Sequence, residues 1–143
     1  MLVRPARPDE IPWVNEHYRE VDFVESRPER ELIAIAEVEG ERAGLGRLVS
    51  VDDENTELGG MLVLPAFRGR GIAAALVRFL LEHARGRTVW CIPFAHLSAF
   101  YREASGFVPV ADAAAPPAVR EKFRWCQAHY AQPTELLVRT ESG

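Results

Sequence analysis

Between Glu57 and Leu81 the chain changes its period once, and that change limits the folds open to it. Glu57 to Leu64 reads as a strand that Pro65 ends, whereas the run from Gly71 through Leu76 to Leu81 places apolar residues at helical spacing and stops near Gly86. A strand therefore feeds a helix through a short turn built of arginine and glycine. Upstream, Leu32 to Val38 and Ala43 to Val51 read as strands joined by the tight turn Glu39-Gly40-Glu41. Asp52-Asp53-Glu54-Asn55 supplies the next turn, so three antiparallel strands precede the helix.

The flanks complete an α/β pattern. Leu2 to Arg4 reads as a first strand and Pro8 to about Phe23 as a helix, with Asp9 as its cap and Pro12 tolerated in its first turn. Val24 to Arg30, which carries Pro28, reads as a loop or a short second helix. Beyond Gly86, Thr88 to Ile92 is rich in strand formers, and a helix from about His96 to Ser105 ends at Gly106. Phe107 to Val110 forms a strand, Pro116 to about Tyr130 a helix, and Thr134 to Arg139 a last strand. A length of 143 residues suits one domain spanning 1–143.

Composition removes several classes of function. Hydrophobic residues at 48% and charged residues at 27% are ordinary for a globular chain. The net charge of -4, with arginines spread along the sequence, lacks the basic stripe of a nucleic-acid binder. No segment approaches the ~20 apolar residues that span a bilayer, and the N-terminus has no signal-peptide pattern, so a soluble cytoplasmic protein without a membrane partner is expected. Cys91 and Cys126 lie far apart in sequence, in no metal-ligand or CxxC spacing, so reduced thiols and no metal are expected.

The chemistry concentrates in Val63-Leu64-Pro65-Ala66-Phe67-Arg68-Gly69-Arg70-Gly71-Ile72-Ala73. Glycines at a strand end let the backbone curl so that successive N–H groups and the positive end of a helix converge on one point. Arg68 and Arg70 add full charge there, which suits a diphosphate.

This loop resembles the R/Q-x-x-G-x-G/A pyrophosphate loop of the GNAT acetyltransferase superfamily, preceded here by V-x-P and an aromatic residue. Tyr101 followed by Gly106-Phe107 resembles that superfamily's second signature, a helical tyrosine shortly before a Gly-Phe pair, and the element order is similar over nearly the whole chain. The resemblance implies a mixed, V-splayed central sheet of about seven strands flanked by helices, with coenzyme A between the strand of Met61 to Leu64 and that of Val89 to Ile92. It gives the backbone of Met61, Leu62 and Val63 to the pantetheine arm, and Gly69, Arg70, Gly71, Ile72, Ala73 and Ala74 to the pyrophosphate with Arg68 beside them. The implied activity is transfer of an acetyl group from acetyl-CoA to a primary amine of a small molecule or peptide, by a monomer or homodimer. A degenerate acyl-CoA sensor of the same fold is the alternative.

Gly69-x-Gly71-x-x-Ala74 also fits a dinucleotide fingerprint, but Ile92-Pro93-Phe94 stands where an acid should hold the ribose, and antiparallel-type strands precede the motif. A nicotinamide enzyme is therefore disfavoured. Acyl transfer needs a base, a polarised carbonyl and an acid. Strand N–H groups near Leu62 and Val63 are candidates to polarise the carbonyl. Glu57 is the favoured base, with Glu37, Glu54 and His96 as competitors. The paired Gly59-Gly60 beside Glu57 suggests a bulge or a ligand's close approach. Tyr101 is the expected acid, although it sits five residues before Gly106 where the superfamily places its tyrosine four before. A helix anchored at Pro93 and its first turn keeps Tyr101 in place and absorbs the extra residue near Ser105. Trp13, Tyr18, Phe23, Trp90 and Trp125 read as core or helix-face aromatics.

Overall fold

The computed structural model describes residues 1–140. Seven strands and four helices alternate as the sequence pattern requires: β1 Leu2–Pro5, α1 Ile11–Glu20, β2 Glu31–Val38, β3 Glu41–Ser50, β4 Asn55–Val63, α2 Ile72–Glu82, β5 Thr88–Cys91, α3 Ser98–Ser105, β6 Val108–Pro109, α4 Pro117–His129 and β7 Leu137–Arg139. They form one mixed sheet in the order β1-β2-β3-β4-β5-β7-β6. β4 and β5 run parallel, from Asn55↔Thr88 to Leu58↔Cys91, while β2 pairs antiparallel with β1 and β3, and β7 with β5 and β6. Because β5 ends at Cys91, that register stops at Leu58.

The contacts divide the chain into two compact units, Met1–Val49 with Gly60–His83, and Ser50–Gly59 with the chain from Ala84 onward. In the first, Val14 and Tyr18 of α1 are fully buried against Ile33, Ile35 and Leu45 of β2 and β3, with Trp13 and Phe23 packed at the edge. Such side chains contribute about 1.5–3 kcal/mol each on full burial, and because Ile33 to Ala36 are buried without a break, both faces of β2 are covered and no period-two burial pattern appears. On α2, Ile72, Leu76, Val77 and Leu80 form the buried stripe that the helical spacing predicts. In the second unit, Trp90 packs with Ala115, Val119 and Leu136, and its indole N–H donates to Asn55 Oδ1 at 2.8 Å. Trp125 stays on the exposed face of α4, stacked on His129 at 4.3 Å between centroids.

The differences from the sequence reading have local causes. The first helix is shorter than Pro8 to Phe23, because Pro8–Glu10 winds as a 3-10 turn and Asp22 reverses the chain with φ 59° after Glu20. Asp9 does not cap it. Instead, the Glu10 carboxylate accepts the Arg7 N–H at 2.9 Å while also bonding Arg4 and Arg42, and Glu10 is 1% exposed. The strand expected at Phe107 to Val110 is reduced to Val108–Pro109, since Pro109 has no N–H for a ladder. The last strand pairs only over Leu137–Arg139, with Thr134 making an isolated bridge to Phe94.

Candidate active site

The strand-to-helix loop of the first unit is built for an anion. Pro65–Phe67 forms a 3-10 turn after β4, Gly69 takes φ 80°, and Gly71 takes φ 75° as the N-cap of α2. The left-handed conformation at Gly71 costs any residue with a Cβ about 1–2 kcal/mol, so glycine there is a backbone requirement. The first helical bond runs from Ala75 N–H to Gly71 O at 3.2 Å, which leaves the N–H groups of Ile72, Ala73 and Ala74 without helical acceptors. No side chain caps them, and the first turn holds no acid. The helix dipole and these donors therefore face one point with no acid in the first turn to meet them, and two arginines lie in the loop just before it.

Arg68 and Arg70 are exposed. Arg70 rests on the Phe67 ring at 5.5 Å, and the Arg68 side chain makes neither an ion pair nor a hydrogen bond among the described residues, its backbone N–H donating to Pro65 O. Ile72 serves through its backbone alone, because its side chain is 2% exposed in the core. Thus Arg68, Gly69, Arg70, Gly71, Ile72, Ala73 and Ala74 come together as one cradle, directly after Met61, Leu62 and Val63 at the end of β4.

The direction of the strand's N–H groups separates those three residues. Leu64 N–H donates to Ala43 O of β3 at 2.8 Å. Alternation along a strand turns the backbone of Leu62 the same way and that of Met61 and Val63 away from β3. Val63, rather than Leu62, therefore has an N–H that β3 does not use.

The paired glycines do different things. At Gly60, which has φ 61°, the nearest atoms to a Cβ would be the Tyr18 phenol and Arg47 Nε, so the close approach comes from the protein's own α1 and β3. The expectation of ligand approach fails at Gly60 for that reason. At Gly59 a Cβ would meet only Glu57 Oε2 within 4 Å, at 3.5 Å, so this stretch of β4 beside the carboxylate is uncovered.

In the second unit, Glu57 is 6% exposed, and both its oxygens accept from Lys122 Nζ, at 2.9 and 2.7 Å. Among its competitors, Glu37 is bonded to Arg4 in the first unit, Glu54 is exposed in the turn, and His96 is exposed with its ring stacked on Phe94. Lys122 escaped the sequence reading, although a signal was present: all but one of the 17 basic residues are arginine, and the exception is Lys122. Its partner lies 65 positions away.

Tyr101 occupies the inward face of α3 with Ser98, while Arg102 is exposed. Gly106, at φ 73°, closes the helix, and Tyr101 packs edge-on to Phe100 and Phe107. The extra residue before Gly106 is thus accommodated with Tyr101 still turned inward. Its hydroxyl makes no hydrogen bond among the described residues. Burial first, then the nearby Cys91 thiol, pushes the phenol above its usual range, so the proton stays on the oxygen. Cys91 and Cys126 are free and buried, and burial pushes both thiols up as well.

Among the described residues no group of His, Cys, Asp and Glu is arranged to hold a metal, and no helix is long and apolar enough to cross a membrane.

With this geometry in hand, the chain can be set beside known proteins. The sequence model of the acetyltransferase (GNAT) family matches residues 3–107. No curated protein sequence matches. Among solved structures, N-acetylglutamate synthase from Neisseria gonorrhoeae, complexed with coenzyme A and N-acetyl-glutamate, superposes with a TM-score of 0.77 at 19% identity, over 97% of this chain and 34% of that one. The chain spans about a third of that synthase's length. Rv2747 from Mycobacterium tuberculosis, in complex with CoA and NLQ, gives 0.77 at 19% identity over 99% of both chains. Ribosomal-protein-alanine N-acetyltransferase from Brucella melitensis gives 0.70 at 15%, over 99% and 100%.

Proposed function

Because the chain belongs to the acetyltransferase (GNAT) family, we propose that it is a single-domain N-acetyltransferase that moves the acetyl group of acetyl-CoA to a primary amine by direct attack in a ternary complex. The observation that carries this reading is the cradle at Gly71: three uncapped backbone donors open α2 where the first turn holds no acid, and two exposed arginines flank Gly69 in the loop before it. A diphosphate fits that chemistry, since its oxygens accept from successive N–H groups and pair with guanidinium. The residues assigned to it are Arg68, Gly69, Arg70, Gly71, Ile72, Ala73 and Ala74, with Met61, Leu62 and Val63 along the pantetheine arm.

Acetyl-CoA supplies an activated acyl carbon. The Val63 N–H, which β3 leaves unused, is assigned to the thioester oxygen, where negative charge grows during attack. Glu57 is assigned as the base that takes a proton from the incoming ammonium. Tyr101 is assigned as the acid that returns a proton to the departing thiolate, an assignment that rests on its buried place on α3 and on its hydroxyl having no hydrogen-bond partner among the described residues. The solved neighbours do not select an acceptor, because they range from a synthase complexed with N-acetyl-glutamate to a ribosomal-protein-alanine N-acetyltransferase.

Thiol release from acetyl-CoA, followed in the presence of a pool of amino acids, polyamines and peptides, tests the reading. Amine-dependent release is expected. Tight coenzyme binding with no release above the blank for any amine would instead make the chain an acyl-CoA sensor.

A further inference from the structure

Lys122 and Glu57 form an ion pair at the residue assigned as the base. Both carboxylate oxygens accept from the one ammonium, at 2.9 and 2.7 Å. Each oxygen keeps a second lone pair, so an amine that approaches Glu57 meets a carboxylate already paired with a cation. Yet the pair is not sealed. The lysine side chain is 35% exposed, against 8% for the glutamate, and the β4 surface over Gly59 carries no atom but Glu57 Oε2 within reach of a Cβ. One of the three ammonium protons is left over after the two bonds to Glu57.

We infer that Lys122 reads a carboxylate on the acceptor, so that the amine substrate is an amino acid with its carboxylate next to the amine that is acetylated. This inference rests on the acetyltransferase reading and names the substrate class of the same site. An α-amino acid carries its ammonium and carboxylate one carbon apart, the same short separation at which Glu57 and Lys122 hold their own charges. Laid over Gly59 in the opposite sense, it exchanges one internal ion pair for two: its carboxylate takes Lys122, and its ammonium takes Glu57. A simple amine brings a second cation to Glu57 with no anion to offset it, and if it displaces Lys122 it leaves that ammonium unpaired at a partly buried position. The reaction then balances. One ammonium proton passes to Glu57, the amine nitrogen bonds the acyl carbon as the C–S bond breaks, and the second proton lost by nitrogen equals the one gained by the thiolate.

The choice of lysine fits the task. A compact ammonium on a flexible stem can shift from one carboxylate to another, whereas a planar guanidinium tends to lock a bidentate pair. In a chain that otherwise uses only arginine, the single lysine stands at this pair.

The test compares kcat/KM, by thiol release, for an α-amino acid, its methyl ester and its decarboxylated amine. The wild type should prefer the free amino acid over both by about tenfold or more, as sites that bond a substrate group discriminate against analogues lacking it. In Lys122→Met the ratio of amino acid to ester should fall toward one, chiefly through a raised KM for the amino acid, and Lys122→Arg, whose guanidinium tends to lock onto Glu57, should restore it only in part. Equal use of acid and ester by the wild type, or a ratio unchanged in Lys122→Met, overturns the inference. If Lys122→Met does not fold, the acid-to-ester comparison in the wild type still decides. Failure of the underlying reading looks different, because then no amine of any kind releases thiol.

Discussion

The Tyr18 hydroxyl donates a 2.9 Å hydrogen bond to the carbonyl of Gly60, and the phenol fills the space that a side chain on Gly60 would need. A Cβ there would overlap the phenol oxygen and lie 2.8 Å from Tyr18 Cζ and 2.9 Å from Arg47 Nε, in a backbone with φ 61°. Tyr18 is fully buried, and the Arg47 guanidinium sits over its ring at 4.3 Å, so neither neighbour has room to retreat. Gly60→Ala should therefore destabilise the protein by about 2–4 kcal/mol, combining left-handed strain with overpacking. Chemical denaturation checks this, and a loss under about 0.5 kcal/mol would show that the packing adapts freely.

Glu10 anchors the other side of the same unit. The hydrogen bond from Arg4 is the largest influence on its carboxyl, which is held at about 2 against the opposing effect of burial, with Arg7 N–H and Arg42 adding to the downward pull. A folded value below the ordinary 4.5 means the stabilisation is complete above about pH 4.5 and fades as pH falls toward about 2. Wild-type melting temperature should drop through that window more steeply than that of Glu10→Gln, which should already be less stable at neutral pH by about 1–3 kcal/mol. Parallel curves for the two proteins would remove Glu10 as the cause.

Arg68→Ala and Arg70→Ala should each raise KM for acetyl-CoA by about tenfold and leave kcat close to wild type, because a phosphate clamp binds ground and transition states alike. Steady-state kinetics at saturating acceptor separates the two parameters. A fall in kcat at constant KM would place these arginines elsewhere in the reaction.

Tyr101→Phe removes one hydroxyl that has no hydrogen-bond partner among the described residues, so folding should be almost unaffected. If Tyr101 protonates the thiolate, kcat should fall by about tenfold or more with unchanged coenzyme affinity. A kcat within about twofold of wild type would leave Tyr101 as packing between Phe100 and Phe107.

The strand and helix order could be read because Ile72 to Leu81 buries one stripe at helical spacing, whereas Leu32 to Val38, buried on both faces, shows itself as a short apolar run ended by a turn. The cradle was legible for a related reason: Gly69 and Gly71 are demanded by backbone angles, which are local. The Lys122–Glu57 pair was hidden, since its partners are brought together by α4 packing on the sheet and no local spacing encodes that. Gly60 misled for the same reason. Its glycine answers a side chain from α1, 42 positions away, which looks in sequence like room for a ligand. Asp9 misled as the expected cap, because the bonds from Arg4 and Arg42 that hold Glu10 at the Arg7 N–H come from β1 and β3.

The central claim is that the α2 cradle holds the diphosphate of coenzyme A, and Gly71→Asp isolates it. Aspartate tolerates the left-handed conformation better than most residues, no atom lies within 4 Å of the Cβ position, and a carboxylate at the N-cap favours the helix, so the variant should fold with stability within about 1 kcal/mol of wild type. The same carboxylate would occupy the anion's place. Calorimetric titration with coenzyme A should give saturable binding to the wild type and affinity at least about 100-fold weaker for Gly71→Asp, the cost of setting like charges together in the cradle. Equal affinity of both proteins for coenzyme A, or none in the wild type, would contradict the account.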